Sequence, residues 1–151
     1  MKNKINFCQF GFTLLEVLTV LAVLTVLLVV GLPVYRQIQP SLDLNSALRD
    51  MASDLRWAQQ LAVTEQNVYR VAFNSANNYY EVINTASNEV IKHKNLSSQL
   101  RLQTIAGLTD NAVNFNATGA AIENGSVTLI NSQNQTATID IKPSGYVKIQ
   151  N

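Results

Sequence analysis

The chain has 151 residues, a net charge of +1, a mean hydropathy of +0.06, one cysteine and one histidine. That length corresponds to one domain; the balanced charge excludes a strongly basic binder of nucleic acid or anionic lipid, though not a local patch; a lone cysteine excludes a disulfide framework. The near-zero hydropathy averages an apolar N-terminus with a polar remainder rich in Asn, Ser, Thr and Gln, so the chain serves two solvents.

Met1 to Gly11 is short, carries Lys2 and Lys4, and has no pattern that would bury a face. It reads as a leader, and Cys8 lies within it. Gly11-Phe12-Thr13-Leu14-Leu15-Glu16 then opens an apolar run that continues to Leu32 with no second charge. As a helix, residues 12–32 span about 31 Å, enough to cross the hydrocarbon core of a bilayer. Glu16 is the odd residue, because a carboxylate inside a spanning segment costs about 2.5 to 3.5 kcal/mol and needs a partner. In lipid its cheapest state is beside an ammonium. A secretory signal places its small cleavage residues after the apolar core, whereas Gly11 stands before it, so cutting after Gly11 leaves the helix attached. Lys2 and Lys4 precede the helix and no Lys or Arg follows until Arg36. The positive-inside bias therefore keeps the N-terminus in the cytoplasm and the remainder outside.

Gly11 followed by Phe12-Thr13-Leu14-Leu15-Glu16 and a spanning helix resembles the processing and methylation motif of type IV pilins and type II secretion pseudopilins. The resemblance implies cleavage between Gly11 and Phe12 by a prepilin peptidase and N-methylation of Phe12. It also implies insertion of the helix into a filament core, with Glu16 meeting the N-terminal amine of a neighbouring subunit. Residues 1–11 are then a prepilin leader and residues 12–32 a transmembrane and filament-core helix.

Pro33 removes a helix donor and predicts a kink near Val29 to Pro33. Pro40 repeats the interruption, giving either a second bend or a short break, with Ser41 available to cap the next segment. From there Leu44, Leu48, Met51, Leu55, Ala58 and Ala62 alternate spacings of four and three and form one apolar stripe, so residues 33–66 read as an amphipathic continuation of the helix. Asp43, Arg49, Asp50, Asp54 and Arg56 fall between those positions and are expected to face water or neighbouring subunits. Trp57 is expected to cover a sheet edge.

After Asn67 the period becomes two, and residues 67–151 read as a β-rich domain. Tyr69, Val71 and Phe73 alternate with Val68, Arg70 and Ala72; Ser75 to Asn78 turns into a strand from Tyr79 to Ile83. Thr85 to Asn88 turns again into Glu89 to Lys94. Further strands are expected at Leu100 to Leu102, Val113 to Phe115, Ser126 to Ile130, Thr136 to Ile141 and Tyr146 to Ile149. Gly119 and Asn124-Gly125 mark a loop or hairpin connection, and Pro143-Ser144-Gly145 the last turn. The fold class is α+β, a long N-terminal helix packed on an antiparallel sheet.

Arg56-Trp57-Ala58-Gln59-Gln60-Leu61-Ala62, the early hairpin, Phe115 with Gly119, the Gly125 strand and the terminal strand after Gly145 resemble the minor pseudopilin group of GspH, FimT and ComGD. The pilin-like fold follows from that resemblance. In the FimT branch the last turn reads Gly-Arg-x-Arg, and this chain departs from it with Gly145-Tyr146-Val147-Lys148.

Candidate chemistry is sparse. His93 stands between Lys92 and Lys94 without an accompanying nucleophile or carboxylate motif, which favours an exposed structural role. Asp110-Asn111 matches no calcium-loop spacing and reads as a turn. No metal, cofactor or catalytic residue is expected. The reading is a structural subunit, a minor pilin or pseudopilin that initiates or caps a filament. Its partners are a prepilin peptidase, other pilin subunits, the cytoplasmic (inner) membrane and an assembly platform. The alternative is a minor pilin that binds DNA weakly during competence through Lys92, Lys94, Arg101, Lys142 and Lys148, beside His93.

Overall fold

The computed structural model describes residues 11–150, so most of the proposed leader, with Lys2, Lys4 and Cys8, lies outside the described residues. Helix α1 spans Leu14–Thr64 and runs 51 residues without interruption. The break considered at Pro40 does not occur. Each proline removes only one donor, and the turns on either side carry the helix through. Ser41 is accordingly no cap: it lies inside α1 and donates its hydroxyl to Gln135 Oε1 at 2.6 Å.

Two compact units divide the chain at Ile38 and Gln39. In the first, the helix is long and apolar enough to cross a membrane, and none of its most apolar stretch is buried. In the second, Leu44, Leu48, Met51, Leu55, Ala58 and Ala62 are all buried, the stripe that the four-and-three spacing predicts. Fully burying a side chain the size of leucine contributes about 1.5 to 3 kcal/mol, so this stripe is the spine of the domain core.

Against it pack two four-stranded antiparallel sheets, the α+β arrangement that the sequence pattern predicts. The first has β1 (Tyr69–Asn74), β2 (Tyr79–Asn84), β3 (Glu89–Asn95) and β5 (Ala112–Phe115) in the order β3-β2-β1-β5. The second has β4 (Leu100–Ala106), β6 (Gly125–Asn131), β7 (Thr136–Ile141) and β8 (Val147–Gln150) in the order β4-β6-β7-β8. Alternation puts Tyr69, Val71, Phe73, Tyr80 and Val82 of the first sheet into the core, and Val127, Leu129, Ile139 and Ile141 of the second. The chain first changes sheet between β3 and β4, returns for β5 and crosses again to β6, and the Asn78 side chain marks the first junction. Its amide donates to Leu100 O at 2.6 Å and its carbonyl accepts from Leu102 N at 3.1 Å, taking the place a further strand would have on β4.

The many asparagines have local reasons. Asn78, Asn88 and Asn134 occupy hairpin turns with φ of 58°, 53° and 60°, a region asparagine tolerates. The Asn124-Gly125 pair is not a turn. Gly125 opens β6 opposite Ile141, and a Cβ there would lie 2.4 Å from Leu108 Cδ2 and 2.6 Å from Ala106 O. Glycine is required for close approach of the backbones rather than for reversal.

Candidate functional site

The N-terminal motif begins with a cap. Thr13 Oγ1 accepts the backbone N–H of Glu16 at 3.2 Å, so Thr13 and Glu16 occupy the first and last positions of a Thr-x-x-Glu capping box. The reciprocal half is unmade: the Glu16 carboxylate has no hydrogen bond or ion pair among the described residues. Phe12 is 82% exposed, and a Cβ on Gly11 would meet nothing within 4 Å. The motif thus presents an accessible Gly11-Phe12 junction and a carboxylate on an apolar helix.

The second cluster lies within the globular unit, where α1 meets β2 and β3. Asp54, expected to face water, is buried at 6% exposure. Its Oδ1 lies 2.6 Å from Lys92 Nζ, and its Oδ2 accepts the Tyr80 hydroxyl at 2.8 Å. Burial, followed by the hydrogen bond to Asp54, raises the Tyr80 pKa far above the usual phenol range. Lys92 Nζ also stands 5.8 Å from the centroid of the Trp57 ring, which places Trp57 beside edge strand β3. One turn earlier on α1, Asp50 Oδ2 lies 3.2 Å from Lys94 Nζ. A signal for Asp54 was present in the spacing. It sits three residues after Met51 and four before Ala58, on the border of the apolar stripe.

The candidate DNA-contacting cations are dispersed. Lys92 and Lys94 are on β3 with acidic partners. Arg101 is on β4 and Lys148 on β8, the two opposite edges of the second sheet, and Lys142 directly follows β7. Asp110 and Asn111 form part of a single 3-10 turn, with Asp110 Oδ2 3.8 Å from Arg70. Among the described residues no group of His, Cys, Asp and Glu could hold a metal ion.

An exposed apolar helix that opens on a carboxylate without a partner among the described residues and continues into the spine of a two-sheet α+β domain defines the pilin class of subunit. The family model described as type II transport protein GspH matches residues 47–145, and that of the prokaryotic N-terminal methylation motif matches residues 6–32. The chain belongs to the GspH family, the minor pseudopilins. No curated protein sequence matches it. Among solved structures it resembles the type IV minor pilin FimU of Pseudomonas aeruginosa, with a TM-score of 0.58 at 12% identity over 72% of this chain and 88% of that one. It also resembles the minor pseudopilin EpsH from the type 2 secretion system of Vibrio cholerae, with a TM-score of 0.61 at 10% identity over 72% of this chain and 96% of that one. At such identities the likeness is one of fold.

Proposed function

We propose that the protein is made as a prepilin, cut between Gly11 and Phe12 by a prepilin peptidase, and N-methylated on Phe12. It then initiates or caps a type II secretion pseudopilus or a type IV pilus. The role is structural rather than enzymatic. Before assembly the helix of residues 12–32 anchors the chain in the cytoplasmic (inner) membrane, with residues 33–66 and 67–151 outside the cytoplasm. On extraction by an assembly platform, lateral packing against other subunits replaces lipid around the helix, so its apolar surface never meets water.

The observation that supports this reading best is the Glu16 carboxylate, without a partner among the described residues, on an exposed apolar helix. Its cap to Thr13 uses only the backbone N–H, which leaves the carboxylate available to a partner. A free amine created at Phe12 of an adjacent subunit supplies the opposite charge in the same apolar layer. Coexpression of the full chain with a prepilin peptidase should give an intact mass corresponding to a chain that starts at methylated Phe12. Retention of Met1 to Gly11, or cleavage beyond Leu32, would overturn the proposal.

A further inference from the structure

We propose that His93 is a pH-dependent latch, its imidazolium holding edge strand β3 to β2 on the sheet face opposite α1 through an ion pair with Glu81, while Asn95 on the same strand orients the ring. Both ring nitrogens face oxygen. Nδ1 lies 2.8 Å from Glu81 Oε1, directly across the ladder, and Nε2 lies 3.2 Å from Asn95 Oδ1 on the same strand. A neutral imidazole has one N–H and can donate to only one of these acceptors, whereas the doubly protonated ring donates to both. The Tyr79 ring, 4.7 Å away centroid to centroid, offers a third contact that favours a cation.

The placement gives the latch something to hold. β3 is an outer strand, and its pairing with β2 shifts register between Val82 and Ile83, leaving Ile91 as the additional residue beside exposed Val90. Bulges interrupt ladder bonds and weaken the strand locally. Lys92 and Lys94 fix the helix-facing side of β3 through Asp54 and Asp50, but side chains of opposite parity leave the other side to His93. The titratable groups facing His93 are Glu81 and Tyr79 of β2; on β1, Ala72 lies opposite Glu81, and Arg70 is one diagonal step further. The hydrogen bond to Glu81, then that to Asn95, raises the His93 pKa above its ordinary value. A raised folded-state pKa fixes the sign. The ion pair is fully formed between the carboxylate range and the unfolded-state histidine value, and is lost as pH rises through the folded-state one, where the neutral ring keeps a single N–H.

Because the chain has a single histidine, its imidazole signals are unambiguous. The test is an NMR titration of the full chain in detergent micelles, following both ring nitrogens and the amide exchange protection of residues 89–95. The expected midpoint lies above about 6.5, the ordinary histidine value. Glu81→Gln should lower it, and Asn95→Ala should lower it by less. Exchange protection of the β3 amides, corrected for intrinsic rates, should fall roughly two- to five-fold as pH rises through the midpoint, as expected for one exposed ion pair. A midpoint at or below the ordinary value, or one unmoved by Glu81→Gln, would overturn the imidazolium assignment. Unchanged β3 protection across a raised midpoint would overturn the latch.

Discussion

Lys92 on edge strand β3 places its Nζ 2.6 Å from Oδ1 of buried Asp54 on α1. The pair is half of a ladder, since Lys94 meets Asp50 at 3.2 Å. One helical turn separates the two aspartates, a rise of about 6 Å, and two strand residues separate the lysines by about 6.8 Å. The near-equality of these steps lets helix and strand exchange two ion pairs in register while running in opposite directions. A one-residue slip of β3 would turn both lysines to the other face.

Asp54→Ala should therefore be the most damaging single change at this contact. It leaves the Lys92 ammonium and the Tyr80 hydroxyl without their acceptor. Loss of one member of a buried pair costs about 3 to 5 kcal/mol; with the Lys92 side chain 40% exposed, the lower end, about 3 kcal/mol, is expected. Lys92→Met leaves the buried Asp54 carboxylate without its ammonium, but the apolar stem and the Tyr80 hydrogen bond to Asp54 are kept and offset part of that cost, so its loss should be smaller. Urea unfolding of a fragment spanning Gln39–Asn151, the compact unit that carries the whole core, is the measurement. Equal losses for the two variants would refute this division of the work.

Periodicity made most of this domain legible. The four-and-three spacing located the buried stripe of α1, and period-two runs located the strands, because a single burial requirement writes both patterns. Division into two sheets was not legible, since it depends on which strands pair across long loops and on Asn78 closing the β4 edge. Asp54 was misread because a charge ordinarily signals solvent, and its partners lie 26 and 38 residues away. At the N-terminus the reverse holds. Gly11, Phe12 and Glu16 were recognisable as a contiguous motif, and the fold adds the Thr13 cap and a carboxylate without a partner among the described residues.

Gly145→Ala tests a junction that sequence alone read only as a turn. Gly145 has φ of 77°, and a Cβ there would fall 2.1 Å from Gln59 Nε2 and 2.4 Å from Gly119 O. Gln59 Nε2 in turn donates to Gly119 O at 2.7 Å, tying α1 to the loop before β6. Strain and displacement together should cost about 1 to 3 kcal/mol. Adding Gln59→Ala removes the side-chain clash but not the backbone one, so the double variant of the same fragment should recover only part of the loss. Full recovery in urea unfolding would mean that the Gly119 carbonyl moves freely.

DNA binding by the fragment is predicted to be weak and strongly salt-dependent. Lys92 and Lys94 are engaged by acids, while Arg101 and Lys148 sit at opposite edges of the second sheet. Without a gathered patch, affinity should be that of nonspecific phosphate contact, a Kd of about 10⁻⁴ to 10⁻⁶ M at physiological salt. Fluorescence anisotropy across a salt series measures it. Nanomolar binding that survives physiological salt would favour the DNA-uptake reading over a purely structural one.

Glu16→Ala separates an anchor from an assembling subunit. Removing a carboxylate from an apolar segment favours insertion, so a plain membrane anchor should reach the membrane at least as well as before. If Glu16 pairs with the Phe12 amine of an adjacent subunit, the same change leaves that amine charged and unpaired in an apolar core, a penalty of about 3 to 5 kcal/mol for a fully buried pair. Loss of the N-cap is not a competing cause, because Thr13 Oγ1 is held by the backbone N–H of residue 16, which alanine retains. Membrane levels should hold while incorporation falls by two orders of magnitude or more, the factor that about 3 kcal/mol implies. Fractionation and crosslinking to partner pilins in one strain read the two quantities together. Glu16→Gln should resemble Glu16→Ala if charge is what matters, and normal crosslinking of both variants would leave Glu16 without an assembly role.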